Sequence, residues 1–515
     1  MLTHLTATIR KREARRYFGG YLAGKMLGLV AVVGVIYGLA WYFSTHAGAS
    51  VLHDTAVKAS DVVNPVNTVW TLVTAFLVFF MQAGFMMLEG GFARTREVSN
   101  IMIECIADTA MCGLLFYAFG FAFMFGNGNG WIGYHYFFLQ GIPHTYGTTG
   151  VAFLAFFLFQ FAFADTASTI VSGAMVGRTD FRGDLIYSIG VSGFIYPIFG
   201  HWIWGPNGWL ATMSTPFHDF AGSTVVHTIG GVLALTGAIA LGPRLGRKFK
   251  RDGGGLPPGH NMTLAALGGV ILWFGWYGFN PGSTLSAMDF EGIGRIATNT
   301  TLAACAGSLV AIAYIWCRTR KFDVGISING LLAGLVAITC PCYWVSPTGS
   351  IIIGAVAGAV VVLAVDFTEW IRVDDPCGAF AVHGVCGIWG TLSLGLFAVG
   401  IYGAPTATGS DNSAAVTGLF YGGGTKQLMA QLIGSATIVA ATLAAGLLLM
   451  YMVKAIRILR ISEDAEVLGL DIHEHGAPAY HNEPAYEGYS AIPAGKTAAA
   501  RGRVVIPEDT RAGVS

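Results

Sequence analysis

Charged side chains are scarce in this sequence. Asp, Glu, Lys and Arg together make up 11% of its 515 residues, and their formal net charge is zero. Soluble domains usually carry about 25% charged residues, and nucleic-acid-binding domains usually present a basic surface. The composition therefore argues against a soluble globular protein and against a nucleic-acid partner.

Cysteine motifs are missing as well. The eight cysteines occur singly or as Cys340-Pro-Cys342, mostly within apolar stretches. None of them has the spacing of a zinc site or of a disulfide framework. We therefore expect small packing residues at these positions, and neither a metal site nor a cofactor.

Apolar residues and glycine are abundant instead, at 54% of the chain and 71 residues respectively. About 20 apolar residues cross a bilayer as a helix, and small residues let such helices approach closely. Eleven stretches of 64–453 fit this length, which predicts an all-α membrane protein with an eleven-helix transmembrane bundle. They lie at 68–88, 100–125, 151–175, 184–204, 219–242, 261–281, 294–317, 325–343, 349–370, 377–402 and 429–453.

One more apolar stretch, at about 26–43, precedes this core. Basic residues come before it and the small residues Ala47-Gly48-Ala49 follow it, as in a secretory signal peptide. The stretch is long for that purpose, so it fits a membrane anchor equally well. Residues 1–60 are therefore interpreted as a basic N-terminus with either a cleaved signal peptide or an anchor.

The loops between the stretches differ in basic residues. If the first stretch runs from inside to outside, the inside loops before the tail hold 19 of the 29 Lys and Arg residues, and the outside loops hold three. Cytoplasmic loops carry the excess of Lys and Arg. The core is thus predicted to start outside and to end inside a cell membrane, with its tail from residue 454 in the cytoplasm.

Two segments share a pattern that indicates an internal repeat. Asp219 is followed eight residues later by His227, and Asp375 eight residues later by His383. Five stretches separate the two segments, so their helices run in opposite directions. This pattern predicts two inverted five-helix repeats, which place a substrate site near the bilayer midplane at their interface.

A histidine at bilayer depth usually faces a cavity or a polar partner. Three interpretations remain for His227 and His383. The two histidines could be buried structural groups. They could instead share a proton and line a polar path, or they could be the axial ligands of a b-type haem.

Four longer motifs resemble the ammonium transporter (Amt/Mep/Rh) family, on its Amt side, over roughly 64–480. They are Gly275–Ser283, Asp219–His227, Asp374–Gly387 and Gly469–Gly476. The resemblance implies eleven spans, a homotrimer with one pore in each subunit, ammonium or ammonia as the substrate, and no enzymatic activity.

Individual positions carry over from the family pattern. The resemblance assigns the twin pore histidines to His227 and His383, and pore-lining support to Trp276. It assigns ammonium recruitment to Trp204, Ser283, Phe163 and Asp219, and a phenylalanine gate to Phe163 and Phe279. Ammonium would lose a proton at the outer vestibule, where aromatic faces attract cations, because a bare charge is costly in an apolar pore.

Some residues depart from the family pattern or stay unassigned. Gly177 stands where many members carry Glu, which removes an ion pair at the inner mouth. Asp165, Glu104 and Asp108 are carboxylates within predicted spans. They are interpreted as hydrogen-bonding groups between helices, with a proton path as the alternative.

The tail motif predicts regulation. Residues 454–480 are expected to form a cytoplasmic regulatory tail with Gly469, Asp471, His475 and Gly476 as its motif residues, and 481–515 a disordered C-terminus. The resemblance implies coupling between subunits and a PII-type signal protein as a partner. The alternative function is an ammonium sensor on the same scaffold.

Overall fold

The computed structural model describes residues 59–480. The stretch at 26–43 and residues 481–515 lie outside this range, so the expectations for them stay predictions. Most of the described residues are helical, with eleven long helical segments and two small hairpins. The predicted all-α membrane fold is confirmed.

The first repeat predicted from the sequence contains five helices. They are α1 (Ser60–Phe92), α2 (Val98–Phe125), α3 (Phe153–Gly173), α4 (Phe181–Gly190, Val191–Ile195 and Tyr196–Trp204 in succession) and α5 (Ser223–Leu241).

The second repeat and the remaining span contain six more. They are α6 (Met262–Phe279), α7 (Phe290–Thr319), α8 (Val324–Thr339), α9 (Pro347–Trp370), α10 (Phe380–Phe397) and α11 (Lys426–Ala455). Two short tail helices follow, α12 (Glu463–Leu468) and α13 (Leu470–His475).

Nine of these helical segments within 59–480 are long and apolar enough to cross a membrane. The other two predicted spans are helical as well. The α4 segment is divided by a π-helical turn at Val191–Ile195, and α8 is only 16 residues long. Every predicted core stretch therefore coincides with a helix.

The short elements lie in the connections between helices. Two antiparallel hairpins pair Thr145–Tyr146 with Val151–Ala152, and Ala404–Thr406 with Gly409–Asp411. Single 3-10 turns occur at Phe137–Leu139, Lys250–Asp252, Pro281–Thr284, Asn412–Ala414 and Leu419–Tyr421.

The first and the fifth helices of the two predicted repeats contact their counterparts. The first helices, α1 and α6, pack side by side, and α5 packs against the start of α10. A Cβ atom at Gly231 of α5 would lie only 2.1 Å from the backbone nitrogen of Gly384 of α10. Glycine at this crossing lets the two backbones touch, which brings the side chains of neighbouring residues together.

Candidate functional site

His227 and His383 meet at the crossing of α5 and α10. Their Nδ1 atoms lie 3.1 Å apart, and the centroids of the two rings are 5.2 Å apart. Both side chains are buried. One imidazole must donate its proton to the other in this contact. The direct contact leaves no room for an iron and a porphyrin plane between the rings, which argues against the haem interpretation.

Each histidine lies in a π-helical turn rather than in an ordinary α-helix. The turns are Ser223–Thr228 and Phe380–Val385, which begin α5 and α10. Isolated π-turns within helices are rare and often mark functional sites. The same uncommon conformation at both positions supports the predicted repeat.

An aspartate holds each π-turn at its start. The carboxylate of Asp219 accepts hydrogen bonds from four consecutive backbone N–H groups, those of residues 222–225, at 2.8–3.0 Å. The carboxylate of Asp375 accepts two, from residues 379 and 380, both at 2.9 Å. Side chains that bind free N–H groups at a helix start fix the direction of the helix. The two aspartates therefore position the two histidines.

Aromatic rings cover the histidines on one side. Phe163 of α3 stacks on Phe279 of α6 with their centroids 4.1 Å apart, and Trp204 of α4 meets Phe163 edge-on at 6.1 Å. The indole N–H of Trp204 donates to the backbone oxygen of Asp219 at 2.7 Å. Ser283 is half-buried, and its hydroxyl donates to the backbone oxygen of Phe279. We call Phe163, Phe279, Trp204 and Ser283 the aromatic mouth.

The aromatic mouth continues directly into the histidines. His227 stacks against Phe279 at 5.3 Å and against Trp276 at 5.1 Å. The Trp276 N–H donates to the hydroxyl of Thr339 on α8, which fixes the indole plane. We call the row of side chains from the aromatic mouth through Trp276 to His227 and His383 the column. Every residue that the sequence assigned to recruitment, gate and pore therefore lies in the column or, like Asp219, directly beside it.

Two cavities continue the column toward the tail. The first, which we call the inner cavity, measures about 20 Å³ and is lined by His383, Glu89 and Asn329 among apolar residues. The second, the tail-side cavity, measures about 290 Å³ and is lined by Asn329, Asp375 and the loops that begin α6, α8 and α10. Burial raises the pKa of Asp375 to about 6.

Sequence reasoning missed Glu89 and Asn329. The predicted first span ends at residue 88, because hydropathy falls there, although α1 continues to Phe92. The carboxylate at position 89 therefore fell outside the predicted span. Asn329 lies in an apolar helix far along the chain, and nothing in the sequence connects it with the histidines.

The carboxylates Asp165 and Asp108 bond across helix interfaces. Asp165 of α3 accepts a hydrogen bond from Thr109 of α2 at 3.1 Å, and Asp108 of α2 accepts one from Ser188 of α4 at 2.7 Å. Neither lines the two cavities. These contacts agree with the interpretation of Asp165 and Asp108 as hydrogen-bonding groups between helices, whereas Glu104 accepts a hydrogen bond from Asn100 of its own helix.

The unusual Gly177 lies in the loop after α3. Its φ is +83°, and a Cβ atom there would lie 2.6 Å from the carboxylate of Glu97. Arg94 pairs with Glu97 and donates to the backbone oxygen of Gly177. A carboxylate from the loop between α1 and α2 therefore lies directly beside position 177.

The neighbouring Arg178 is fully buried and bonds to backbone oxygens only. Its guanidinium donates to the carbonyl groups of Val176, Gly242 and Asp374. Burial lowers the pKa of Arg178 to about 10. Burial alone would raise the pKa of Asp374. The hydrogen bonds and ion pair between the Asp374 carboxylate and Arg244 outweigh burial, so the pKa of Asp374 is lowered.

Two tail residues contact the start of α2 through one asparagine. The Asp471 carboxylate accepts from the backbone N–H of Asn100 at 2.9 Å, and Nε2 of His475 lies 2.8 Å from the Asn100 amide oxygen. The Asn100 amide donates in turn to Glu104 inside α2. Burial lowers the pKa of His475, which favours its neutral form. The tail is therefore hydrogen-bonded to the helical bundle.

The two tail glycines have left-handed or related backbone conformations. Gly469 has a φ of +101°, and a Cβ atom there would lie 2.6 Å from the Cβ of Arg96. Gly476 ends α13 with a φ of +69°. Residues other than glycine rarely adopt such φ values, so the backbone conformation favours glycine at both positions.

This arrangement of helices, buried histidines and cavities defines an all-α membrane transport protein. The family model described as Ammonium Transporter Family matches residues 69–480. The chain belongs to the ammonium transporter family.

Its relatives cover most of the chain. This chain is 45% identical over 428 residues to the ammonium transporter Amt2 of Archaeoglobus fulgidus, and the alignment covers 81% of this chain and 89% of that protein. It is 39% identical over 440 residues to a putative ammonium transporter of Synechocystis, with 83% of this chain and 92% of that protein covered.

Two solved structures share the fold. One is named Sensor Amt Protein, with a TM-score of 0.73, 35% identity and coverage of 81% of this chain and 99% of that one. The other is Mep2 of Saccharomyces cerevisiae, with a TM-score of 0.70, 27% identity and coverage of 80% and 92%.

Proposed function

We propose that this protein transports ammonium or ammonia across a cell membrane through the column from the aromatic mouth to the tail-side cavity. The observation that carries the proposal is the direct contact of two buried imidazoles beneath a stacked pair of aromatic rings. Family membership and relatives that are themselves ammonium transporters support the same substrate. A role in transport rather than in catalysis follows.

Each part of the column suits ammonium. The faces of Trp204 and Phe163 attract a cation by about 0.5–2 kcal/mol, and the Ser283 oxygen offers an acceptor. The stacked rings then exclude water, so a charged ion pays a large desolvation cost while neutral ammonia does not. The His227–His383 pair receives the released proton or hydrogen-bonds the ammonia. Potassium has no proton to release and is excluded.

The direction and the assembly are also proposals. The loop charges support an orientation with the aromatic mouth outside and the tail in the cytoplasm. We propose a homotrimer with one column in each subunit. The tail would couple neighbouring subunits while its contacts with α2 of its own subunit hold it in place, and a PII-type signal protein would bind the same face.

The test replaces each histidine in turn. His227→Ala and His383→Ala should abolish selective ammonium uptake in proteoliposomes while the protein still inserts and folds, because an apolar side chain breaks the polar path. Matched uptake of potassium tests selectivity. Parental ammonium flux with potassium still excluded in both variants would contradict the mechanism.

A sensor is the second candidate, because one solved relative is named as a sensor. The two functions differ in the rate at which ammonium or ammonia crosses the membrane. A sensor would bind ammonium without carrying it at a physiological rate, so uptake by the purified parent protein decides between them.

A further inference from the structure

The inner cavity lies between the histidine pair and the tail side. Its volume of about 20 Å³ holds roughly one water-sized molecule, since a water needs about 10–15 Å³ measured in this way. Such a molecule is stable there only if it finds two or more polar partners. His383, Glu89 and Asn329 line the cavity and supply them.

Glu89 is a buried carboxylate at the end of α1, only 2% exposed. One of its oxygens accepts a hydrogen bond from the Ser172 hydroxyl of α3 at 2.9 Å. This contact fixes the carboxylate at the wall of the inner cavity. A carboxyl group at a membrane helix end that faces a cavity is a common element of proton relays.

Asn329 offers an unused acceptor in the same place. Its amide nitrogen donates to the backbone oxygen of Cys377 at 3.2 Å, which sets the orientation of the amide. Its Oδ1 atom is buried and has no hydrogen-bond partner among residues 59–480. A buried polar atom without a partner costs free energy, and a molecule in the inner cavity would satisfy it.

The two cavities adjoin, because Asn329 and Cys377 line both of them. Glu89 therefore lines a cavity that shares a wall with the larger tail-side cavity. His227 contacts His383, and His383 and Glu89 line the same inner cavity.

We propose that Glu89 accepts the proton from the histidine pair and releases it on the tail side, with Asn329 orienting the molecule that carries it across the inner cavity. This inference rests on the proposed function. An ammonium ion loses one proton at the aromatic mouth, and the histidine pair takes it. His383 passes a proton to the molecule in the inner cavity, which passes one to a Glu89 oxygen. Glu89 then gives it to water in the tail-side cavity and becomes a carboxylate again, and ammonia that has passed separately regains a proton there.

The test measures charge and nitrogen together. The full chain in proteoliposomes is exposed to a step of ammonium chloride, and the initial current and the nitrogen uptake are recorded. Glu89→Gln keeps the size of the side chain and a bond to Ser172 but removes the proton acceptor. The charge carried per nitrogen should fall at least tenfold, while neutral ammonia still passes.

Three variants separate a relay from packing. Glu89→Asp keeps a carboxylate and should return the ratio to within about threefold of the parent. Asp108→Asn changes a buried carboxylate outside the cavities and should leave the ratio unchanged. Asn329→Ala leaves Glu89 in place and should lower the current at least threefold, which keeps the proposal testable if Glu89→Gln does not fold.

The failures are distinguishable. A parental ratio in Glu89→Gln, an equal loss in Asp108→Asn, or a parent that carries nitrogen without charge overturns the role of Glu89. A parent without ammonium-dependent flux instead overturns the proposed function.

Discussion

Replacing Asp219 by alanine should destabilise the protein about twice as much as replacing Asp375. The Asp219 carboxylate accepts four backbone N–H bonds and the Asp375 carboxylate accepts two. Each buried N–H group left without a partner costs about 1–2 kcal/mol, toward the low end of the usual range. The expected loss is therefore about 4–8 kcal/mol for Asp219→Ala and about 2–4 kcal/mol for Asp375→Ala.

Asp219→Asn provides an intermediate case. Its single amide oxygen retains the bonds of one carboxylate oxygen, those from residues 222 and 223, so about half of the loss is expected. A net stability of about 5–15 kcal/mol leaves the milder variant folded even if the alanine variant is not.

The assay is thermal unfolding of the purified full-length variants in one detergent, followed by tryptophan fluorescence. A buffer near pH 8 keeps Asp375 ionised, because burial raises its pKa only to about 6. The drop in Tm should rank Asp219→Ala first, and Asp219→Asn close to Asp375→Ala. A drop for Asp219→Ala no larger than that for Asp375→Ala, together with lost transport, would show that Asp219 acts on the ion rather than on the helix.

The remaining predictions concern the aromatic mouth and the tail. Trp204→Leu removes one cation–π contact and should raise the half-saturating ammonium concentration by about 2- to 30-fold; parental uptake at low ammonium would leave Trp204 as an interface anchor only. Phe279→Ala opens the ring stack and should lower the ratio of ammonium to potassium flux, and an unchanged ratio would show that the stack does not select. Truncation after Leu459 removes the tail contacts with α2 and should lower the uptake rate, and parental uptake by a trimeric truncated protein would contradict the coupling role. Gly476→Asp puts a residue with a side chain at a φ of +69° and should lower the ammonium uptake rate. Uptake by mixed trimers, made by co-expression of the variant with the parent, should be lowered too.

The helices were predictable because hydropathy reports burial in lipid directly. Each apolar stretch became a helix, but the bounds differ. The helix α1 extends past its stretch at both ends, whereas α5 (Ser223–Leu241) and α10 (Phe380–Phe397) are shorter than theirs. At the first span, α1 covers Ser60–Phe92 whereas the predicted apolar stretch covers only 68–88. That difference of four residues at one end contains Glu89.

The histidine pair was predictable from two matching motifs, whereas its surroundings were not. The π-turn at Ser223–Thr228 starts where four backbone N–H groups bond to Asp219, and residue types do not reveal such bonds. Thr339 and Asn329 reach the column from α8 because of the way that helix packs. Tertiary contacts of this kind leave no local pattern in a sequence.

The stacked rings of Phe163 and Phe279 have a consequence for speed. With centroids 4.1 Å apart the rings touch, so each molecule that passes has to wait until they part. Side chains in a close-packed interior move only when their neighbours yield, so parting is a thermally activated event. The rate of passage should therefore rise steeply on warming, as it does for a carrier, whereas flow through an open water-filled channel follows the shallow temperature dependence of diffusion.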